Sequence, residues 1–341
     1  MLQLENRTPF AAGFFVFPDL EGVDTLYVAV KGAFSLGPMG VSVAETQRPL
    51  VLTDEYWGEP AASSLKYASE AHLRKPASDV AFVGSAHAPG GRAAPCFDVR
   101  LVVGRLEKTI RTYGDRAWVK GALGLSASEP SPVTRVPVVW ERAFGGRHEA
   151  PGGDAAIEPR NPVGVGFPGR RSAQEMDGLR LPNFELPDSP LKSWKHQPAP
   201  AGLGFVAGNW EPRASWAGTY GATWQESRAP FLPEDFDPRH LNAVAADQVY
   251  PGFLKGGEPV ELTNLSEQRA LRFTLPRVEI GGRVRMGGAS EGLSFALETL
   301  LLEPDDSRFC LTWRASMPCD KRALQVETIN VEMRRIEGAT T

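Results

Sequence analysis

Between Val136 and Gly257 neither a long helix nor a long strand has room to run, because glycine or proline recurs every few residues. The stretch reads VPVVWERAFGG, NPVGVGFPG, LPNFELPDSPLKSW and PAGLGFVAGNWEPRASWAGTYGATW. An acidic LPEDFDPRHLN and a closing DQVYPGFLKGGE follow. Five of the eight tryptophans lie inside it: Trp140, Trp194, Trp210, Trp216 and Trp224. Disordered chain is poor in aromatic residues. The pattern therefore specifies irregular but fixed chain, with aromatic side chains tying turns onto something already folded.

The flanks supply that scaffold. From Asp24 to Phe34, Leu26, Val28, Val30 and Phe34 alternate with Tyr27, Ala29, Lys31 and Ala33, which predicts a half-buried strand. Phe10, Phe14, Phe15 and Phe17 predict a strand before it, ending at Pro18. Met39 to Leu52 reads as a weaker strand pair, and 61–77 as a helical turn or two. Val99, Leu101 and Val103 open a hairpin that continues through Thr109 to Tyr113, turns at Gly114–Asp115 and returns past Trp118. After Glu258 short strands return, at Val260–Leu262, Leu271–Leu275, Arg283–Met286, Leu293–Leu302, Phe309–Trp313 and Ala323–Met333. No helical apolar period exceeds two turns. The expected fold is mainly β: two packed antiparallel sheets, sandwich-like, with the central segment draped on them. The chain reads as one β-rich domain over 1–341, with texture changes marking 1–135, 136–257 and 258–341.

Composition narrows the functional classes. A formal charge of -4 argues against a general nucleic-acid or anionic-membrane binder. No run approaches the length of a membrane-spanning helix, and the start, MLQLENRTPF, shows no export signal. Cys96, Cys310 and Cys319 have no zinc-site spacing, and their odd number fits a reducing compartment. A cytoplasmic protein without metal or cofactor is the expectation.

Two sets of residues invite a functional reading. Glu234, Asp235 and Asp237 with His240 could serve metal binding or acid–base chemistry, since carboxylates two apart on extended chain face one way. Pro233 and Pro238 frame the same run as a turn, so capping and ion pairing compete with that reading. The five histidines show no ligand spacing, no serine sits in a nucleophile elbow, and no glycine pair matches a phosphate loop. The second set is aromatic and basic: Arg142 and Phe144, then Trp210, Arg213, Trp216, Tyr220 and Trp224. Guanidinium groups over indole faces order irregular chain, and the same groups are enriched at protein–protein hot spots. Framework and partner surface both remain open for these seven.

At these residues the chain resembles the bacterial family called domain of unknown function 2169, found beside type VI secretion genes. The resemblance runs through LENRTPFAAGFFVFPDLEGVDTLYVAVKGAF, SDVAFVGSAHAPGG, GDRAWVKG, ERAFGG, NPVGVGF, LPNFELP, PAGLGFVAGNWEPRASWAGTYGATW, LPEDFDPRHLNAVAADQ and LKGGEPVEL, in one collinear order. Val165 stands where an arginine is more usual and Gly221 where an aspartate is common. The resemblance implies a non-enzymatic cytosolic adaptor or chaperone. Its partners would be a type VI secretion effector and the VgrG or PAAR-like spike onto which that effector is loaded. It supplies no catalytic residues. The alternatives are a carboxylate-dependent hydrolase or carbohydrate-active enzyme built on Glu234, Asp235, Asp237 and His240, and a structural or exported component of the apparatus.

Overall fold

The computed structural model describes residues 2–122, 124–149 and 153–340. It is mainly β, with three larger sheets where two were expected. The six-stranded sheet runs Ala11–Pro18, Asp24–Gly37, Arg308–Pro318, Ala296–Glu303, Asp79–Phe82, with Gly40–Val43 on the far half of Asp24–Gly37. A five-stranded sheet runs Phe184–Glu185, Leu106–Tyr113, Cys96–Val103, Pro259–Thr263, Ala270–Thr274. A four-stranded sheet runs Gln3–Arg7, Val326–Glu337, Arg277–Met286, Ala289–Ser294. Pairing is mostly antiparallel, but Gln3–Arg7 runs parallel to Val326–Glu337, and Asp79–Phe82 parallel to Ala296–Glu303.

One face of the six-stranded sheet meets both other sheets in a shared apolar core. Leu26, Val28, Val30 and Phe34 project into it. Phe309 stacks on Phe34 at 5.1 Å and on Phe273 of the five-stranded sheet at 5.0 Å, so aromatic contacts cross between sheets. Each fully buried side chain of this size contributes about 1.5–3 kcal/mol.

The other face is covered too, which corrects the half-buried reading of Asp24–Phe34. Tyr27, Ala29, Lys31 and Ala33 are as buried as the residues between them, because irregular chain from 44–79 and 201–249 lies over them. Three carboxylates fasten that chain to the sheet. Glu70 accepts from Lys31 Nζ at 2.8 Å, Thr312 Oγ1 at 2.7 Å and Val51 N at 2.8 Å. Glu298 accepts from Arg314 Nε at 2.8 Å and Lys75 N at 2.8 Å. Asp79 accepts from Lys75 Nζ at 2.7 Å, Asn242 Nδ2 at 2.7 Å and Ala243 N at 2.9 Å. Arg314 completes the set by donating to Glu70 O at 2.7 Å. A cavity of about 20 Å³ lies among Lys31, Glu70, Lys75, Thr299 and Thr312. A β-bulge at Leu297–Glu298 makes this geometry possible. It shifts the alternation by one, so Leu297 and Leu300 face the shared core while Thr299 faces the polar cluster.

Other expectations shift for local reasons. The first hairpin turns at Gly104–Arg105, with Gly104 at φ +54°, and its arms are Cys96–Val103 and Leu106–Tyr113. Trp118–Gly121 pairs instead with Gly124–Ala127. Residues 61–77 hold no helical turn but a three-residue strand, Leu65–Tyr67, paired with Glu55–Tyr56. Of Met39–Leu52 only Gly40–Val43 is a strand. Of the later strands, Pro259–Thr263, Ala270–Thr274, Arg277–Met286 and Arg308–Pro318 fall at the expected places, whereas Leu293–Leu302 is divided between Ala289–Ser294 and Ala296–Glu303 in different sheets, and 323–325 belongs to a 3-10 turn before Val326–Glu337. Cys310 is buried in its strand, and burial pushes its thiol up to about 11.

Removing one partner of the Arg314–Glu298 pair strands a buried charge. Arg314→Ala is expected to cost about 3–5 kcal/mol in denaturant unfolding, whereas Arg314→Met with Glu298→Leu should recover most of that loss. A double variant no more stable than Arg314→Ala would contradict this assignment.

Candidate functional site

The central segment is ordered by side chains bonded to main chain rather than by a ladder. Trp140 donates from Nε1 to Phe205 O at 2.8 Å, and Trp210 meets it edge-on at 6.3 Å. Asn161 donates from Nδ2 to Trp140 O at 2.8 Å and Phe144 O at 3.0 Å. This staples ERAFGG to NPVGVGF, and Phe144 pairs with Val165 across the join. Gly145 must be glycine there. Its φ is +150°, and a Cβ would stand 2.1 Å from Asn161 O.

Of the seven aromatic and basic candidates, four are framework. Trp210 and Phe144 are buried. Arg142 donates to Asn183 Oδ1 at 3.0 Å, and Asn183 donates from Nδ2 to Tyr113 O at 3.0 Å. Arg213 donates to His240 O from Nε at 3.0 Å and Nη2 at 2.8 Å, and from Nη1 to Val206 O. His240 returns the bond from Nδ1 to Arg213 O at 2.8 Å. Burial pulls the Arg213 guanidinium and the His240 imidazole below their ordinary pKa values.

The remaining three are at least partly exposed. Trp216 is half-buried under the Arg239 guanidinium, 4.7 Å from its ring. Tyr220 is 55% exposed and meets Trp224 edge-on at 4.9 Å. Trp224 sits on the one α-helix among the described residues, Ala222–Ser227, and its Nε1 donates to Phe231 O at 2.8 Å. Arg228 closes this turn with bonds to Leu232 O at 2.9 Å and Leu20 O at 2.6 Å. Beside Trp224 lies an open pocket of about 280 Å³, edged by Thr219, Thr223, Ser227, Glu234 and Asp235.

The acidic run lies on the same surface, largely committed to its own chain. Asp235 accepts from Thr219 N at 2.9 Å and Oγ1 at 2.7 Å, and these bonds hold its carboxyl below the usual range. Asp237 caps the turn Pro238–Leu241, accepting from Arg239 N at 2.9 Å and from its guanidinium, which lowers it likewise. His240 faces Arg213. Glu234 is exposed on the pocket rim. Among the described residues no group of histidine, cysteine and carboxylate side chains is placed to hold a metal ion.

Sequence reasoning missed the buried polar cluster under 64–79. Its signal was present: Lys31 and Arg314 interrupt strands that are otherwise apolar. His72 belongs to it. Its Nδ1 donates to Leu73 O at 2.5 Å, so Nε2 is left to accept from Arg314 at 3.3 Å. Burial, with Arg314 close by, keeps this imidazole neutral well below its ordinary 6.5.

The geometry defines a class first: a mainly β scaffold that carries a hydrogen-bonded irregular surface with an aromatic pair beside an open pocket. The chain belongs to the family described as uncharacterized protein conserved in bacteria (DUF2169), whose match covers residues 21–314. The resemblance noted before residue 21 lies outside that match. No curated protein and no solved structure matches the chain. No helix among the described residues is long and apolar enough to cross a membrane.

Two variants separate framework from surface, and a third tests the histidine. Arg213→Ala should destabilise by about 1.5–3 kcal/mol, the range for bonds from a charged donor. Tyr220→Ala should stay within about 0.5 kcal/mol of the parent. For His72, the unfolded chain takes up a proton as pH falls through 6.5 and the folded chain does not. Stability should therefore fall below that pH by up to about 1.4 kcal/mol per unit, with His240 adding in the same sense. Denaturant midpoints for His72→Gln should lose part of that dependence between about pH 6.5 and 5.

Proposed function

We propose that this protein is a cytoplasmic, non-enzymatic adaptor that binds a type VI secretion effector and helps load it onto a VgrG or PAAR-like spike. The secretion context comes from the sequence resemblance. The observation that carries the binding role is the Tyr220–Trp224 pair, in which Trp224 lines the pocket edged by Thr219, Glu234 and Asp235, with Trp216 part-exposed under Arg239. Aromatic residues held rigid at the surface lose little entropy on binding, and they are enriched among residues that dominate interface energies. Arg213 and Arg228 hold the chain beneath them, so the surface is ordered before a partner arrives. The polar rim of Thr219, Thr223, Ser227 and Glu234 would set specificity around that anchor. A hydrolase on the acidic run has less support, because Asp235, Asp237 and His240 are each engaged by neighbouring chain.

The test is capture of tagged protein, expressed at its own level in its native cell, with mass spectrometry of what comes with it. A secretion effector or spike-tip protein should be recovered. Tyr220→Ala with Trp224→Ala should weaken its binding by about 2 kcal/mol or more, with the far-ultraviolet circular dichroism unchanged. Recovery of no secretion component would end the adaptor reading.

A further inference from the structure

We propose that the Ala11–Pro18 strand is a self-association edge, across which the six-stranded sheet continues into the same strand of a second copy of this chain. That sheet ends differently on its two sides. At Asp79–Phe82 the outer edge is closed: Phe82 N donates to Leu203 O at 2.9 Å, and Gln248 Nε2 donates to Val80 O at 2.9 Å. Asp79 also bridges to Val249. At the other side, Ala11–Pro18 pairs with Asp24–Lys31 in continuous register. Among the described residues no hydrogen bond joins its backbone to anything else. A row of main-chain donors and acceptors is left facing outward, a template for another extended chain.

The side chains say whose chain that is. Proteins usually protect open edges with charge, with proline inside the strand, or by keeping them very short. The other outer strands of the larger sheets follow that rule. Gln3–Arg7 carries Glu5 and Arg7, Ala289–Ser294 carries Glu291, Ala270–Thr274 carries Arg272, Phe184–Glu185 has two residues, and the uncharged Gly40–Val43 has four and is bonded to Thr340. Ala11–Pro18 reads AAGFFVFP: eight residues, no charge, and proline only at its last position. In an antiparallel pair of identical strands only a residue on the two-fold axis meets its own copy, and elsewhere residue i faces j and j faces i. A strand with no charge therefore pairs with itself without like-charge contact wherever the axis falls. Every copy of this chain carries that edge, and an open, uncharged strand of this length is the kind that associates with its like.

Packing agrees with the backbone. Phe15 and Phe17 stack at 6.0 Å on one face, with Phe17 reaching Tyr27 at 6.4 Å, and the copy's rings would extend that row. Val16, on the opposite face, is 40% exposed and would be covered. One strand pair of this length buries less than the roughly 1,200 Å² of a standard stable interface, so the association should be reversible. Self-pairing does not depend on which partner the Trp216–Trp224 surface takes.

The experiment is sedimentation velocity of the full chain from about 1 to 200 µM, with amide hydrogen exchange at both ends of that range. A monomer–dimer equilibrium is expected, with slower exchange at 11–18 in the concentrated sample. Val16→Lys should weaken dimerisation at least about ten-fold, because each copy then carries an ammonium into the seam, where it loses water and adds like charge. Glu291→Lys, on a different edge, should leave it unchanged. A chain that stays monomeric throughout overturns the proposal. So does a dimer formed with no slowing of exchange at 11–18, a reading taken on the parent chain and independent of how any variant folds.

Discussion

Arg314 and Glu298 face each other at 2.8 Å inside the protein, with Glu70, Asp79, Lys31 and Lys75 packed around them. Taking a charge out of water costs several kcal/mol, so ions persist there only when nearly every lone pair and proton finds a partner. Those partners come from chain far away in sequence: Val51 N, Lys75 N and Ala243 N as well as the side chains. Burial pushes the Glu298 carboxyl up, while Arg314 and Lys75 pull it back. The irregular chain over this face is thus held by directional bonds to fixed charges as well as by apolar contact. A lid held only by apolar contact could slide. This one has few positions in which its ions are satisfied.

The same economy of bonding extends through the central segment. Asn161, Arg213 and Gln248 direct their side-chain donors to main-chain carbonyls, and Asn183 divides its own between Tyr113 O and Asp115, doing for loops what a neighbouring strand does for a strand. Trp216, Tyr220 and Trp224 therefore stand on chain whose backbone is already accounted for. Rigidity beneath and exposure above is the combination that suits recognition, because little ordering remains to be done on contact.

Much of this was legible in the residues. Period-2 runs located the strands at Asp24–Gly37 and Cys96–Val103, a phenylalanine-rich run located Ala11–Pro18, the turn before Phe309 located Arg308–Pro318, and dense Gly and Pro marked where regular structure stops. What escaped notice depended on distance or on a one-residue slip. Lys31 in an alternating strand suggests a wet face until Glu70, 39 residues on, is found to cover it. Thr299 sits where alternation from Leu297 demands an apolar residue, the one visible trace of the bulge at Glu298. Gly114–Asp115 is a stronger turn signal than Gly104–Arg105, yet the chain turns at the latter, where Val103 and Leu106 can both reach the core. Among the candidate residues, sequence joined Trp210 to Trp224 as one set. Only packing separates the buried Trp210 from the exposed Tyr220.

The parallel pairing of Gln3–Arg7 with Val326–Glu337 has a consequence for how the protein is made. Gln3 lies opposite Thr328, so the four-stranded sheet cannot close until more than three hundred residues between them have left the ribosome. The five-stranded sheet likewise joins Leu101 to Leu262. Contacts of such long sequence separation make for slow folding, with apolar strands waiting in the open for their neighbours. Ala11–Pro18 finds Asp24–Lys31 early on one side, yet its outer edge stays open for as long as the chain is being made. Nascent molecules on one message carry identical copies of it.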